Sequence, residues 1–214
     1  MKHPEEDYKE LARLGQKLGL PVPQLFLSLE VTKDGEVLET YKDRSRTWNR
    51  MFWNSVFCLW SNTLSDTTLG TGHLGGKTYT GSAAYCGYAM PNVVGPATND
   101  TLGIVIGTGS AVEDFDGYAL TTRILHGNSS LKMSYALQNT TTASYDAPSL
   151  TWTATLARIF NNNSGASIIV AETGIYVSQS YTIMTVRDVL APAVTVTNGS
   201  QLTVTYNMTL TLPA

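Results

Sequence analysis

A chain of 214 residues, 43% hydrophobic and 14% charged, is long enough to bury a core and too apolar to be disordered throughout. Its formal net charge of −3 and pI of about 5.6 leave no positive surplus for a phosphate backbone or an anionic membrane, so nucleic acid is not an expected partner. The polar, acidic start and the lack of a run of ~18 apolar residues predict a chain that neither spans a membrane nor enters the usual secretion route.

Charge is unevenly placed. Eighteen charged residues fall in the first 50 positions and 13 in the remaining 164, while 29 threonines favour pleated, half-buried surfaces. The shift predicts an α/β head over residues 1–62, a Gly/Thr/Ser-rich connector over 63–100, and an antiparallel β-sandwich or jelly roll over 101–214, with a barrel as the alternative closure.

In chain order, Glu5 to Leu18 places Tyr8, Leu11, Leu14 and Leu18 on one helical stripe and stops at Pro21-Val22-Pro23. So narrow a stripe has to dock on the body or on another subunit. Leu25, Leu27, Leu29 and Val31 alternate, a Lys33-Asp34-Gly35 turn follows, and Glu36 to Tyr41 completes a hairpin. Thr47 is placed to cap a helix in which Trp48, Met51, Phe52, Val56, Phe57, Leu59 and Trp60 crowd one face with Trp53 beside it. That aromatic payload serves as the anchor between head and body or as a subunit interface. Candidate interface residues are therefore Tyr8, Leu11, Trp48, Phe52, Trp53, Phe57 and Trp60.

The glycines from Gly70 to Gly81 predict extended loops. Strands are expected over Leu102–Ile106, Leu131–Leu137, Leu150–Phe160, Ser167–Val170, Ile175–Val177 and Tyr181–Val186, with a last hairpin from Ala193–Thr197 through Asn198-Gly199 into Gln201–Leu212. That terminal strand is read as exposed and able to pair across subunits.

Signals of chemistry are weak. Gly107-Thr108-Gly109-Ser110 lacks the third glycine of a dinucleotide loop and the Lys-Ser/Thr of a phosphate loop, so it reads as a turn. Glu113, Asp114 and Asp116 gather oxygen ligands without the distal carboxylate of a calcium loop, and read as an acidic turn in which Asp116 caps a short helix through Tyr118, Leu120 and Ile124. His3, His73 and His126 are scattered, and Arg187-Asp188 and Arg158 with Glu172 read as charge pairs beside a sheet. Cys58 and Cys86 are two buried small hydrophobes or one disulfide, and the sequons at Asn99, Asn128, Asn139, Asn162, Asn198 and Asn207 follow from composition. No cofactor, metal or catalytic residue is expected. Tyr and Trp among Asn and Thr keep a carbohydrate-binding or adhesion module as the alternative, and a glycoside hydrolase or esterase as a weaker one.

The run Arg158-Ile-Phe160-Asn-Asn-Asn-Ser164-Gly165, then Glu172-Thr-Gly174-Ile175-Tyr176-Val177, Arg187-Asp188-Val189 and Val194-x-Val196-x-Asn198-Gly199-x-x-Leu202-x-Val204-x-Tyr206, resembles the β-rich region of virion structural proteins of tailed phages, at the head, neck, tail or fibre. Arg44 to Trp48 and the Trp-rich segment after it resemble the entry segment of such proteins. The resemblance covers roughly Leu102 to Leu212. It implies a non-enzymatic assembly subunit of a virion built in the host cytoplasm, whose partners are copies of itself and other virion proteins.

Overall fold

Alternation in the first apolar run becomes the inner face of a sheet. In the computed structural model of the protein, which describes residues 4–45, 48–49, 52–53, 56, 92–139, 142–178 and 182–212, Leu25, Leu27, Leu29 and Val31 of β1 (Val22–Lys33) are at most 3% exposed. The chain reverses at Asp34-Gly35, at φ 52° and 85°, as a tight two-residue hairpin turn requires, and returns as β2 (Glu36–Arg44). Before β1, α1 (Pro4–Leu18) is closed by Leu20 N–H donating to the Gly15 carbonyl at 2.8 Å, with Gly19 at φ 68°.

β1 is flanked on its other side by β9 (Gln201–Thr211), and β9 in turn by β6 (Thr151–Asn161). β4 (Ser134–Tyr135) and β5 (Thr142–Asp146) share the far edge of β6, completing a six-stranded antiparallel sheet among the described residues. The second sheet has three strands, β3 (Gly103–Gly107), β7 (Ile168–Ser178) and β8 (Thr182–Val196), in that order. The two pack as an open sandwich, not a closed barrel, with Ile104, Ile106, Ile175 and Val186 set against Leu27, Leu29, Val204 and Tyr206 in one core. On the outer face of the large sheet Thr151, Thr153 and Thr155 lie opposite Thr211, Thr209 and Asn207, a threonine ladder suited to a pleated, half-exposed surface.

The hairpin from the segment expected as a head is thus built into the sandwich: β1 lies beside β9 in the same sheet. Ser167–Val170 and Ile175–Val177 are one strand, and Tyr181–Val186 runs on without a break through Arg187-Asp188 into the residues expected as the first arm of the last hairpin. That hairpin does not form. β8 belongs to the small sheet and β9 to the large one, so Asn198-Gly199 carries the chain between sheets. Nor is Gln201–Thr211 an edge strand; it is paired along its whole length on both sides and has no free edge for another subunit. The helix expected after Asp116 is absent: residues 108–133 wind through turns, and Leu120, Ile124 and Met133 are buried. Leu131–Leu137 shortens to β4. The connector up to residue 91, Cys58 and Cys86, His3 and His73, and most of the Trp-rich segment lie outside the described residues.

Asn162 joins the two crossings between sheets. Its N–H donates to the Ser200 carbonyl at 2.9 Å and its carbonyl accepts from Gly199 N–H at 2.7 Å. Its side-chain amide donates to the Ala166 and Val196 carbonyls at 2.8 and 2.7 Å. Fully buried, this asparagine is closed to glycosylation in the folded chain.

Arg158 of β6 is 1% exposed and sits between the sheets. Its Nε donates to the Ala136 carbonyl, one terminal nitrogen to Leu102 and Ile104, and the other to Pro96 and Asn99, at 2.7–3.0 Å. All five N–H donors of the fork therefore end on backbone carbonyls. Tyr135 and Phe160 flank the cation, with their ring centroids 4.9 and 5.8 Å from its central carbon. Burial pulls the guanidinium pKa down to about 10.

Replacing Arg158 with Met takes the guanidinium donors from five carbonyls, of which Pro96 keeps only a 3.3 Å bond from Asn99 N–H, and is expected to destabilise the fold by about 3–5 kcal/mol, with Arg158→Lys recovering only part because an ammonium has three donors and no fork. Urea denaturation midpoints check the order; equal stability of wild type and Arg158→Met would refute it.

Tyr135 and Tyr206 are pushed well up by burial, and Tyr176 to about 12 by the same cause. A tyrosine that holds its proton longer when folded contributes stability that is full below the ordinary tyrosine value of 10.0 and is lost as pH rises toward the folded values. Tyr41, also raised by burial, adds to them, and Arg158, lowered on folding, opposes them in that window as one group against four. Cooperative unfolding is expected as pH rises above about 10, with tyrosinate absorbance for these residues appearing in step with loss of the β-sheet circular dichroism signal; tyrosinate forming fully before unfolding would contradict it.

Candidate functional site

The candidate interface residues separate into two regions. On α1, Tyr8 turns to the body, where the Arg44 guanidinium lies between it and Phe26, 4.3 and 4.7 Å from the ring centroids, and donates to Gln24 Oε1. Gly15 is buried one helical repeat on, so close that a Cβ there would press on the Val22 side chain and stand 2.9 Å from the Leu20 carbonyl. Glycine lets the helix lie flat on the outer side of β1. The leucines sit about a quarter turn round the helix and remain in water: Leu11 48%, Leu14 39% and Leu18 67% exposed.

Trp48 makes a β-bridge with Val186 and packs against the core. Phe52 stands edge-on to it with ring centroids 4.0 Å apart, and Trp53 lies 5.2 Å from Phe52, still 50% exposed. Phe57 and Trp60 lie outside the described residues. Asn49 fixes this segment. Its N–H donates to the Thr185 carbonyl, its side-chain amide to the Met184 and Gly117 carbonyls at 2.8 and 3.0 Å, and its Oδ1 accepts from Phe52 N–H, capping the turn that presents Trp53. The contact to Gly117 brings alongside a loop in which Val112, Phe115 and Tyr118 are exposed. Asn49 carried no sequence signal: an asparagine between two aromatic-rich runs looks like any surface polar residue.

The buried charges serve the loops. Glu172, wholly buried, accepts Arg187 Nε at 2.9 Å together with the N–H groups of Gly109, Thr121 and Thr122 at 3.2, 3.1 and 2.8 Å. Arg187 also donates to the Ala111 and Val112 carbonyls and to Thr121 Oγ1. The sequence pairing of Arg158 with Glu172 is thereby corrected: the carboxylate's partner is Arg187, and Arg158 binds carbonyls. Asp188, next along the strand, points to the opposite face and accepts from Tyr206 Oη at 2.9 Å. The glycines at 107 and 109 do approach an anion, and it is the chain's own; a Cβ on Gly107 would stand 2.7 Å from Glu172 Oε1.

Glu113 accepts from Val189 N–H, 76 residues on, and Asp114 Oδ1 accepts from Asp116 N–H, so the acidic turn is tied down by one long-range and one local bond. No cluster of three or more metal-binding side chains is found among the described residues. His126 Nδ1 accepts from Tyr135 N–H. Among the described residues no helix is long and apolar enough to cross a membrane. Compared with known proteins, the chain matches no family model, no curated protein and no solved structure.

Substituting Glu172 by Leu alone strands the Arg187 cation and three N–H groups, and is expected to cost about 3–5 kcal/mol. The double change Glu172→Leu with Arg187→Met is expected to cost less than the sum of the singles, by at least about 1 kcal/mol. Chemical denaturation of the four proteins measures that coupling; strict additivity would remove the pair from its anchoring role.

Proposed function

We propose that this chain is a non-enzymatic structural subunit that associates with copies of itself in a larger particle or filament, of the kind from which tailed phages build virions. The observation that carries the reading is that α1 keeps Leu11, Leu14 and Leu18 out of the fold's core and in water. Such a stripe on a helix that docks through its other residues is a surface in want of a cover. The half-exposed Trp53, packed with Phe52 on a turn that Asn49 ties to Gly117, adds a second exposed aromatic of the kind favoured at interfaces. The two buried charge systems are in keeping with this reading, since Arg158 and the Glu172–Arg187 pair are engaged by the chain's own backbone and side chains. The virion setting rests on the resemblance of the strands from Arg158 to Tyr206, and other virion proteins are the further partners it implies.

Light scattering coupled to size-exclusion chromatography on the full chain tests the reading. A mass that rises to a defined oligomer or a growing filament with concentration is expected, and Trp53→Glu is expected to weaken association while shifting the thermal midpoint by no more than a few degrees. A strict monomer at every concentration and salt would overturn self-association and favour a surface glycan as the partner of the exposed aromatics.

A further inference from the structure

We infer that the β1–β2 hairpin tip of one copy docks in the cleft between α1 and the start of β1 of a second copy, with Asp34 and Glu36 of the one against Lys9 and Arg13 of the other. The inference rests on the self-association reading and names a contact for it. On the side of α1 that does not carry Leu11, Leu14 and Leu18, the residues Lys9, Ala12 and Arg13 line a cleft of about 420 Å³ together with Val22 and Gln24 of β1 and Leu212, a size that accepts a few side chains or a small ligand. Ala12, Val22 and Leu212 make its walls apolar, two exposed cations stand beside them, and no acid lines it among the described residues. Neither Lys9 nor Arg13 makes an ion pair among the described residues.

The complement of this cleft lies at the other end of β1. Val31 pairs with Glu39 and Thr32 with Val37, so Leu38 is the extra residue of a β-bulge. A regular strand turns successive side chains to opposite faces, yet here Val37 and Leu38 are 56% and 51% exposed together, with Asp34 and Glu36 exposed beside them. An aliphatic pair flanked by carboxylates matches apolar walls flanked by cations. Val22 and Lys33 close the two ends of β1, about 36 Å apart at ~3.3 Å per residue, so no chain can fill its own cleft with its own tip. The two surfaces differ, which makes the contact heterologous and adds copies head to tail. Side chains alone form it, and the charge on β2 that opposes strand pairing favours it.

The test uses the full chain, a cleft variant carrying Lys9→Glu with Arg13→Glu, and a tip variant carrying Leu38→Glu. Sedimentation equilibrium at low salt is expected to show each variant alone associating at least about tenfold more weakly than the wild type, with high salt weakening the wild type as well. An equimolar mixture is expected to give 1:1 pairs and nothing larger, because the tip of the cleft variant still fits the cleft of the tip variant while the remaining tip and cleft are both acidic. Thermal midpoints within a few degrees of wild type show that folding is intact at these exposed positions. If the wild type associates and either variant matches it, or the mixture is no better than its parts, the tip-in-cleft contact is overturned and self-association passes to another surface. A wild type that stays monomeric throughout overturns both.

Discussion

A buried cation that spends all five donors on backbone carbonyls holds the two sheets in register. Arg158 projects from the large sheet, yet two of its acceptors, Leu102 and Ile104, lie at the entry and within the first strand of the small one, and the others are carbonyls of the loops on either side. A guanidinium in an apolar layer is costly to desolvate, and only a full set of acceptors in the plane of its fork offsets that cost. Burying it therefore fixes five carbonyls at once. The loop from Pro96 to Thr101 could not close over an aliphatic residue at this position without taking the side-chain donor from every one of those oxygens.

The Glu172–Arg187 pair does the same for the outer layer. Residues 108–123 form no strand or helix of their own, and beyond a short exchange with the edge of β3 their backbone has to find partners on side chains. A carboxylate accepting three of their N–H groups and a guanidinium donating to two of their carbonyls take the place of secondary structure. Arg187 and Asp188 are adjacent in sequence and serve opposite layers, because the strand turns successive side chains to opposite faces. One dipeptide thus pins the outer loop and, through Tyr206, the inner face of the facing sheet.

Much of this was legible from residue order, and the misses share a cause. The first hairpin and α1 were readable because their signals are local: alternation, a turn dipeptide, a stripe at helical spacing. The same turn signal misled at Asn198-Gly199, since a dipeptide that reverses the chain says nothing about which sheet receives the next strand. Asn162 and the paired crossings decide that, and they act across 34 residues. The helix expected after Asp116 failed because Leu120 and Ile124, four apart, are held by a buried tyrosine and a glutamate from strands far along the chain, through Tyr176 Oη to Leu120 N–H and Glu172 to Thr121 and Thr122 N–H. Of the candidate interface, the chemistry of the residues was visible and their division was not: Tyr8 and Trp48 turned inward, Leu11 and Trp53 outward.

That division constrains how copies can meet. The small sheet presents two edges, and both are already served. On β3, Ile106 and Thr108 exchange bonds with Thr122 and Ile124, and Ile104 N–H donates to Gln138 Oε1. On β8, Asn49 occupies the Thr185 carbonyl, Glu113 the Val189 N–H and Glu39 the Thr195 N–H. In the large sheet the outer strand β2 carries Glu36, Glu39, Lys42, Asp43 and Arg44, a charge density that discourages a second strand from docking edge to edge. Assembly by strand addition is thereby opposed along these three edges. Apolar side chains left in water on α1 and around Trp53 are free of that obstacle, so the self-association proposed above would run through side chains on a helix and an aromatic turn, with the sheets kept as rigid bodies behind them.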